Sequence, residues 1–308
     1  PGTPGRPAFL CRHTPARMEF RRPRGATPAA AAALASPEEA REFAARVGFP
    51  IILKPRDGAG AAGTERIGDA GQLERAIRAY GLDRGASLAA EEFIEGHEGF
   101  YDTLTVGGEV ACEFFSHYYP GVLEAMRERW ISPYVITTNR GGEQSYDEAR
   151  EMGRRVIREL GIGTSATHME WFFGPKGLKF AEIGCRPPGV MVWDLYCAAN
   201  DFDLYRAWGH AIVHGRVDQR PSRRFSAAMI ALRPNRDGRI AGYQGLDEIQ
   251  GRHGEWILDS HLPPPGSPTQ PIEAGYMANA WIRLRHPDYD TLRGICDDIG
   301  RTVRVLAG

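Results

Sequence analysis

No stretch of this chain approaches the roughly 18 consecutive apolar residues that a membrane-spanning helix needs. The alanine-rich run at 29–35 is too weakly apolar for the core of a secretion signal. Cysteine is scarce: Cys11, Cys112, Cys185, Cys197 and Cys296 are scattered, odd in number and without paired spacing. That pattern argues against a disulfide framework or a zinc site and for a reducing compartment, so the protein reads as cytoplasmic. An excess of either charge is missing too, since 38 basic and 39 acidic residues leave a formal net charge of −1. Nothing in that balance calls for nucleic acid or a membrane as partner. There are no internal repeats. Lysine is almost absent: Lys54, Lys176 and Lys179 are all there is, and every other residue of the basic count is arginine. Each of the three is therefore more informative than a lysine usually is.

What is present is an ordinary globular composition, 42% hydrophobic and 25% charged over 308 residues, enough for one large or two to three small domains. Residues 1 to about 27 are rich in Pro, Gly and Arg, lack periodicity and start without methionine, which reads as a loose or truncated beginning. Ser36-Pro37-Glu38-Glu39 is a capping box that opens a helix to about Val47. The short apolar run Phe49 to Lys54 reads as a strand ending in lysine. A helix from about Gly71 to Tyr80 follows, then a strand at Leu88 to Ile94. Phe100 to Val106 and Glu109 to Phe115 form a hairpin turned at Gly107-Gly108. Tyr134 to Thr138 has the composition of a strand, and a second capping box, Ser145 to Glu148, predicts a helix that stops at Gly161. Helices are expected near 190–199 and 202–214, then strands and turns beyond Arg223 and a closing helix from about Pro287.

Between these elements lies Thr167 to Arg186, two short strands joined at Gly174-Pro175-Lys176-Gly177. Proline suits the first corner of a type I turn and glycine the left-handed position after it, which predicts a three-residue loop of Pro175, Lys176 and Gly177. That register sets Glu170 opposite Glu182 and His168 opposite Gly184. Two carboxylates directly opposite on one face, with Cβ atoms about 5 Å apart, are destabilising unless a cation sits between them. Magnesium, held by one or two carboxylates with phosphate oxygens completing its shell, fits that description. Two solvated surface carboxylates are the plain alternative.

The run Gly58 to Gly63 spells G-x-G-x-x-G after a strand. A dinucleotide-binding turn would need a helix immediately after Gly63, whereas Thr64 to Gly68 reads as extended. A glycine loop folding its N–H groups over phosphates fits better, and a mobile surface loop is the unspecific reading. Lys54, closing its strand beside that loop, is placed to reach phosphate oxygens, or else to snorkel from a sheet edge. Glu91-Glu92-Phe93-Ile94-Glu95-Gly96-His97-Glu98 runs from a strand through a turn into the next, a hinge able to face an adenine edge and ribose hydroxyls.

Taken as a set, Pro50 to Pro55 with the glycine loop, Glu91 to Glu98, and Glu170 with Glu182-Ile183-Gly184-Cys185-Arg186 resemble the ATP-grasp superfamily, in its carboxylate–amine (L-amino-acid ligase-like) branch. The resemblance covers roughly residues 36 to 214. It implies an α+β, ATP-grasp fold, two subdomains gripping ATP, with a C-terminal β-rich lid subdomain. The expected divisions are 1–35 as an irregular remnant, 36–106 as the small subdomain, 107–215 as the large subdomain with the metal site, and 216–308 as the lid. It further implies that Lys54 contacts the α- and β-phosphates and that Gly58, Gly60, Gly63 and Thr64 close over the β- and γ-phosphates. Glu91, Phe93 and Ile94 would hold adenine and Glu98 the ribose; Glu170 and Glu182 would ligate Mg2+, with Mn2+ as the alternative ion. Arg186, with Lys54, would serve catalysis by stabilising the acyl phosphate. Two departures stand out: Gly184 occurs where many members have asparagine, and the family's N-terminal pre-grasp domain and its further lysine have no counterpart around Thr14 to Met18.

The expected activity is ATP-dependent ligation of a small-molecule carboxylate to an amine or thiol, in a chain compatible with a homodimer. The competing expectations are an ATP-binding module without catalysis and an NAD-linked oxidoreductase. Arg127, Arg129, Arg140 and His168 are candidates for holding an anionic substrate, or for structural ion pairs.

Overall fold

A computed structural model describes residues 29–56, 63–272 and 276–308 of the chain. The first unit comprises β1 (Ala31–Leu34), α1 (Pro37–Val47), β2 (Ile51–Pro55), β3 (Glu65–Ile67), α2 (Ala70–Ala79) and β4 (Leu88–Glu92). Ser36 caps α1 as expected, its Oγ accepting the Glu39 N–H at 3.2 Å, while the Glu39 carboxylate turns back to the Ala35 N–H. Asp69 caps α2 in the same way, accepting the Gln72 N–H at 2.8 Å. The strands pair in the order β1-β4-β2-β3. Phe43, Leu73 and Ile77 from the helices pack on Ile51, Leu53, Ile67 and Leu88, giving this unit a core of its own. The extended reading after Gly63 holds: β3 pairs antiparallel with β2 and no helix follows the glycine loop, which removes the dinucleotide-turn alternative.

The remainder is built on one mixed-length sheet. Its elements are β5 (His97–Val106), β6 (Glu109–Tyr119), α3 (Val122–Ala125), β7 (Tyr134–Thr137), α4 (Asp147–Glu159), β8 (Ser165–Gly174), β9 (Gly177–Gly184), α5 (Val192–Asn200), α6 (Leu204–His214), β10 (Ser226–Leu232), β11 (Ile240–Gln244), α7 (Leu246–His253), β12 (Ile257–His261), β13 (Ala280–His286), α8 (Tyr289–Thr302) and β14 (Arg304–Ala307). Eight strands run in the order β12-β13-β10-β7-β6-β5-β8-β9, and β11 with β14 forms a separate ribbon. A division at residue 106 therefore falls after a strand that already belongs to the large sheet. The strands beyond residue 216 likewise extend that sheet, because β10 pairs with β7 as well as with β13.

Side chains alternate between the two faces of this sheet. Phe100, Phe114 and Tyr118 pack under α5 and α6 with Leu195, Tyr196 and Leu204. On the opposite face Tyr101, Phe115, Met169 and Trp171 meet α4, and Ile136, Ile230 and Ile282 meet α8. Between those two helices runs a polar seam, His97 Nε2 to His117 Nδ1 at 2.9 Å and His117 Nε2 to the Tyr146 hydroxyl at 2.8 Å. Burial, then His97, then Arg293 push the His117 pKa down to about 3, so this ring is neutral. The capping box expected at Ser145 does not form. A short 3-10 turn, Gln144–Tyr146, leads into α4 and takes Ser145 up, leaving Asp147 and Glu148 to complement the helix dipole.

The central hairpin reaches the expected register by a different route. Gly174 pairs with Gly177, so the loop is Pro175 and Lys176 alone, with Gly177 at φ +75°. From there Trp171 faces Phe180, but Glu170 faces Glu182: the strand bulges at Ala181 and the extra residue restores the pairing that a three-residue loop would have set.

Candidate active site

Three neighbouring strands, β5, β8 and β9, lay out a grid on the face shared with α5. The row nearest the first unit is Glu98, Phe172 and Lys179; the next is Phe100, Glu170 and Glu182; the third is Asp102, His168 and Gly184. The first unit lies against this face. Lys54, on β2, places its ammonium 2.7 Å from Glu91 Oε1 on β4 and 3.8 Å from Glu182 Oε2. The lysine predicted to grip phosphate and the carboxylate predicted to hold metal thus stand together across one cleft. A second pair crosses the same boundary, Lys176 at the hairpin tip to Glu92 at 2.6 Å. The link between the units passes directly over the hairpin. A Cβ on Gly96 would collide with the Phe173 carbonyl, and one on Gly174 with the Glu95 carbonyl, so only glycine permits the crossing.

Glu98 is buried at 7% exposure, its Oε2 accepting the Val122 N–H at 2.7 Å. Burial, then Glu170 and, more weakly, Glu182 push its pKa up to about 8 against that hydrogen bond. The charges of Glu170 and Glu182 thus add to burial in disfavouring the ionised Glu98. Behind them runs a buried relay that the sequence did not suggest. The Tyr196 hydroxyl donates to Asp102 Oδ2 at 2.6 Å, Asp102 Oδ1 meets His168 Nδ1 at 2.7 Å, and His168 Nε2 lies 3.5 Å from Glu170 Oε1. Burial alone would lower the His168 pKa; the Asp102 charge and hydrogen bond, with Glu170, outweigh it and raise the value to about 10. His168 therefore presents a charged N–H toward Glu170, in keeping with the ion-pair alternative of its two sequence readings.

Among the other anion-holding candidates, Arg129 pairs with Asp237 at 2.7 Å and Arg140 with Asp290 at 2.7 Å while stacking on Tyr289; both are structural. Arg127 is exposed, and its charge acts on Tyr80, whose hydroxyl donates to the Gly63 carbonyl at 2.8 Å. Of the four it is the one whose charge reaches Tyr80 beside Gly63. Gly63 has φ +70° and Thr64 is half-buried at the start of β3; Gly58 and Gly60 lie outside the described residues. Phe93 carries the Arg66 guanidinium 4.8 Å over its ring, and Ile94 beside it is half-buried on the linker.

Arg186 is exposed and donates to the Pro187 carbonyl at 2.9 Å. A Cβ on Gly184 would stand 3.2 Å from Arg186 Cγ, so the arginine stem fills the space where an asparagine would project. The loop that follows holds Val190 and Met191 at φ +47° and +55°, a costly conformation, most of all for a β-branched residue. Phe172, Lys179, Asp102 and Tyr196 belong to this site and were not singled out as site residues from sequence. Lysine scarcity was the signal available for Lys179; the relay joins residues 66 and 94 positions apart and left none.

Among the described residues no helix is long and apolar enough to cross a membrane. The family model for the ATP-grasp domain matches residues 22–202, more than half of the chain. The chain is 26% identical over 233 residues to a formate-dependent phosphoribosylglycinamide formyltransferase of Bacteroides fragilis, covering 71% of this chain and 56% of that protein. It thus spans little more than half the length of that curated relative. Among solved structures it resembles an L-amino acid ligase from Bacillus licheniformis, with a TM-score of 0.73 at 16% identity over 100% of this chain and 75% of the other. It also resembles an N5-carboxyaminoimidazole synthase from Aspergillus clavatus, solved with ADP and an aminoimidazole ribonucleotide. There the TM-score is 0.67 at 16% identity, over 97% of this chain and 76% of that one. With the α+β architecture, the paired sheets and the domain match in agreement, the chain belongs to the ATP-grasp family.

Proposed function

We propose that the chain is the catalytic part of an ATP-dependent ligase that activates a small-molecule carboxylate as an acyl phosphate for attack by an amine, or by a thiol. The observation that carries this reading is the meeting of Lys54, Glu91, Glu182 and Glu170 across one cleft between two sheets. Lys54 and the glycine loop would bind the phosphates, Phe172 and the linker residues Phe93 and Ile94 the base, and Glu98, if it turns from Val122, the ribose. Glu170 and Glu182 fit a divalent cation. They are hard oxygen donors directly opposite each other, and beside burial their charges help to hold the Glu98 carboxyl up. Such an ion would take its remaining ligands from phosphate and water. Bound there, Mg2+ would neutralise the phosphate oxygens during in-line transfer.

The protein's own part is positioning and fixed charge. His168, held by Asp102, keeps Glu170 oriented. Arg186, at the end of β9, would present preorganised positive charge to the oxyanion as the nucleophile adds to the acyl phosphate. The names of the relatives support carboxylate chemistry, since formate and L-amino acids are both carboxylates. Replacing Glu182 with Gln is expected to abolish ADP release while leaving most nucleotide affinity; unchanged turnover would remove the proposed role. A screen of amino acids in pairs for ATP-dependent phosphate release would identify the substrates. The alternative is an ATP-binding module without catalysis. ATP binding with no substrate-stimulated phosphate release under any pair would support it.

A further inference from the structure

Lys179 and Glu182 are three residues apart on β9, a spacing that in an unbroken strand sends the two side chains to opposite faces. The bulge at Ala181 cancels this. Leu178, Phe180 and Ile183 enter the apolar layer against α4, and Lys179 joins Glu182 on the cleft face. Bulges beside active sites commonly re-aim a side chain in this way. Lys179 then lies across from Phe172, which lies across from Glu98, in the row nearest the linker.

Two of the three lysines in the chain have carboxylate partners: Glu91 for Lys54 and Glu92 for Lys176. Lys179 is half-buried and forms no ion pair among the described residues. Its field reaches Glu92. There Lys176, the Ala30 N–H and Lys179 together hold the carboxyl below its ordinary range against the upward push of burial. A half-buried ammonium gives up part of its hydration, and the loss is made good when an acceptor arrives. A compact ammonium, kept in a chain that otherwise uses arginine for positive charge, suits a single acceptor rather than a planar two-point contact.

We propose that Lys179 binds the nucleotide at its base end, donating to the purine N7 or to an α-phosphate oxygen. The inference rests on the nucleotide reading of the cleft given above. Isothermal titration calorimetry with ATP, 7-deaza-ATP, AMP and adenosine tests it on the unaltered chain, K179M, K179R and K54M, with thermal scans confirming that each variant is folded. K179M is expected to weaken ATP binding at least tenfold, and K179R to restore part of the loss. A contact to N7 makes 7-deaza-ATP bind the unaltered chain and K179M equally; an α-phosphate contact weakens AMP along with ATP and leaves adenosine unchanged. Affinity for ATP within twofold of the unaltered chain in a folded K179M, with K54M impaired, overturns the proposal. Failure of the unaltered chain to bind ATP would instead overturn the reading of the cleft itself.

Discussion

Glu98 shows how one side chain reports on the whole pocket. Its carboxyl titrates at about 8 in the folded chain against an ordinary value of 4.5, because it is buried beside Glu170 and Glu182. Between those two values the folded state keeps a proton that the unfolded chain has released, so stability falls as pH rises through that window. The melting temperature of the nucleotide-free protein is expected to drop from pH 5 to pH 8, and Glu98→Gln to flatten that slope. An unchanged slope in the variant would mean that another group sets it. Burial raises this pKa most, and the part that Glu170 and Glu182 add is charge that a metal–nucleotide complex would neutralise. Binding near pH 7 is therefore expected to release a proton, seen as a buffer-dependent heat. His168 works in the opposite sense, a fixed cation beside the same carboxylates.

At the level of elements, the hairpin of β8 and β9 separates what pattern can show from what it cannot. Alternation along two short strands was enough to bring Glu170 and Glu182 together, because period-two geometry is local. The bulge at Ala181 was not legible: no residue type demands it, and a three-residue loop produces the same pairing at the glutamates. The two routes differ only beyond the bulge, where they send Lys179 to opposite faces. Asp102, His168 and Tyr196 met only once β5, β8 and α5 had packed, so their relay is a product of tertiary structure. The helix at α1 was readable to its first residue because Ser36 and Pro37 act locally, whereas Ser145 lost its capping role to a 3-10 turn. The glycine crossing under the hairpin offers a direct test. Gly174→Ala drives a methyl into the Glu95 carbonyl and is expected to cost about 1–3 kcal/mol, the usual range for overpacking. Calorimetric melting measures it, and an alanine variant as stable as the parent would show that the linker can move aside.

Across the whole molecule, the first unit has its own core, while the C-terminal strands share theirs with the large sheet. The two bodies are joined by residues 93–96 and by ion pairs at Lys54 and Lys176. Partly exposed pairs of that kind contribute roughly 0–1 kcal/mol each. The first unit is therefore expected to open on its own. In hydrogen exchange, amides of β2 and β4 should exchange before those of β5, β6 and β8, and ATP should slow them selectively. Simultaneous exchange of both bodies would contradict this. The C-terminal segment, expected as a separate lid, should instead exchange together with the large sheet.

The glycine crossing also decides how such a cleft can gape. With Gly96 and Gly174 in contact beside the Phe172 row, the two bodies have a fulcrum at one end, and only the far end, by Gly63 and Arg127, is left free to swing wide. On the proposed reading, a nucleotide entering those jaws would go in ring first and come to rest with its terminal phosphate toward the opening, on the side from which a second reactant would approach.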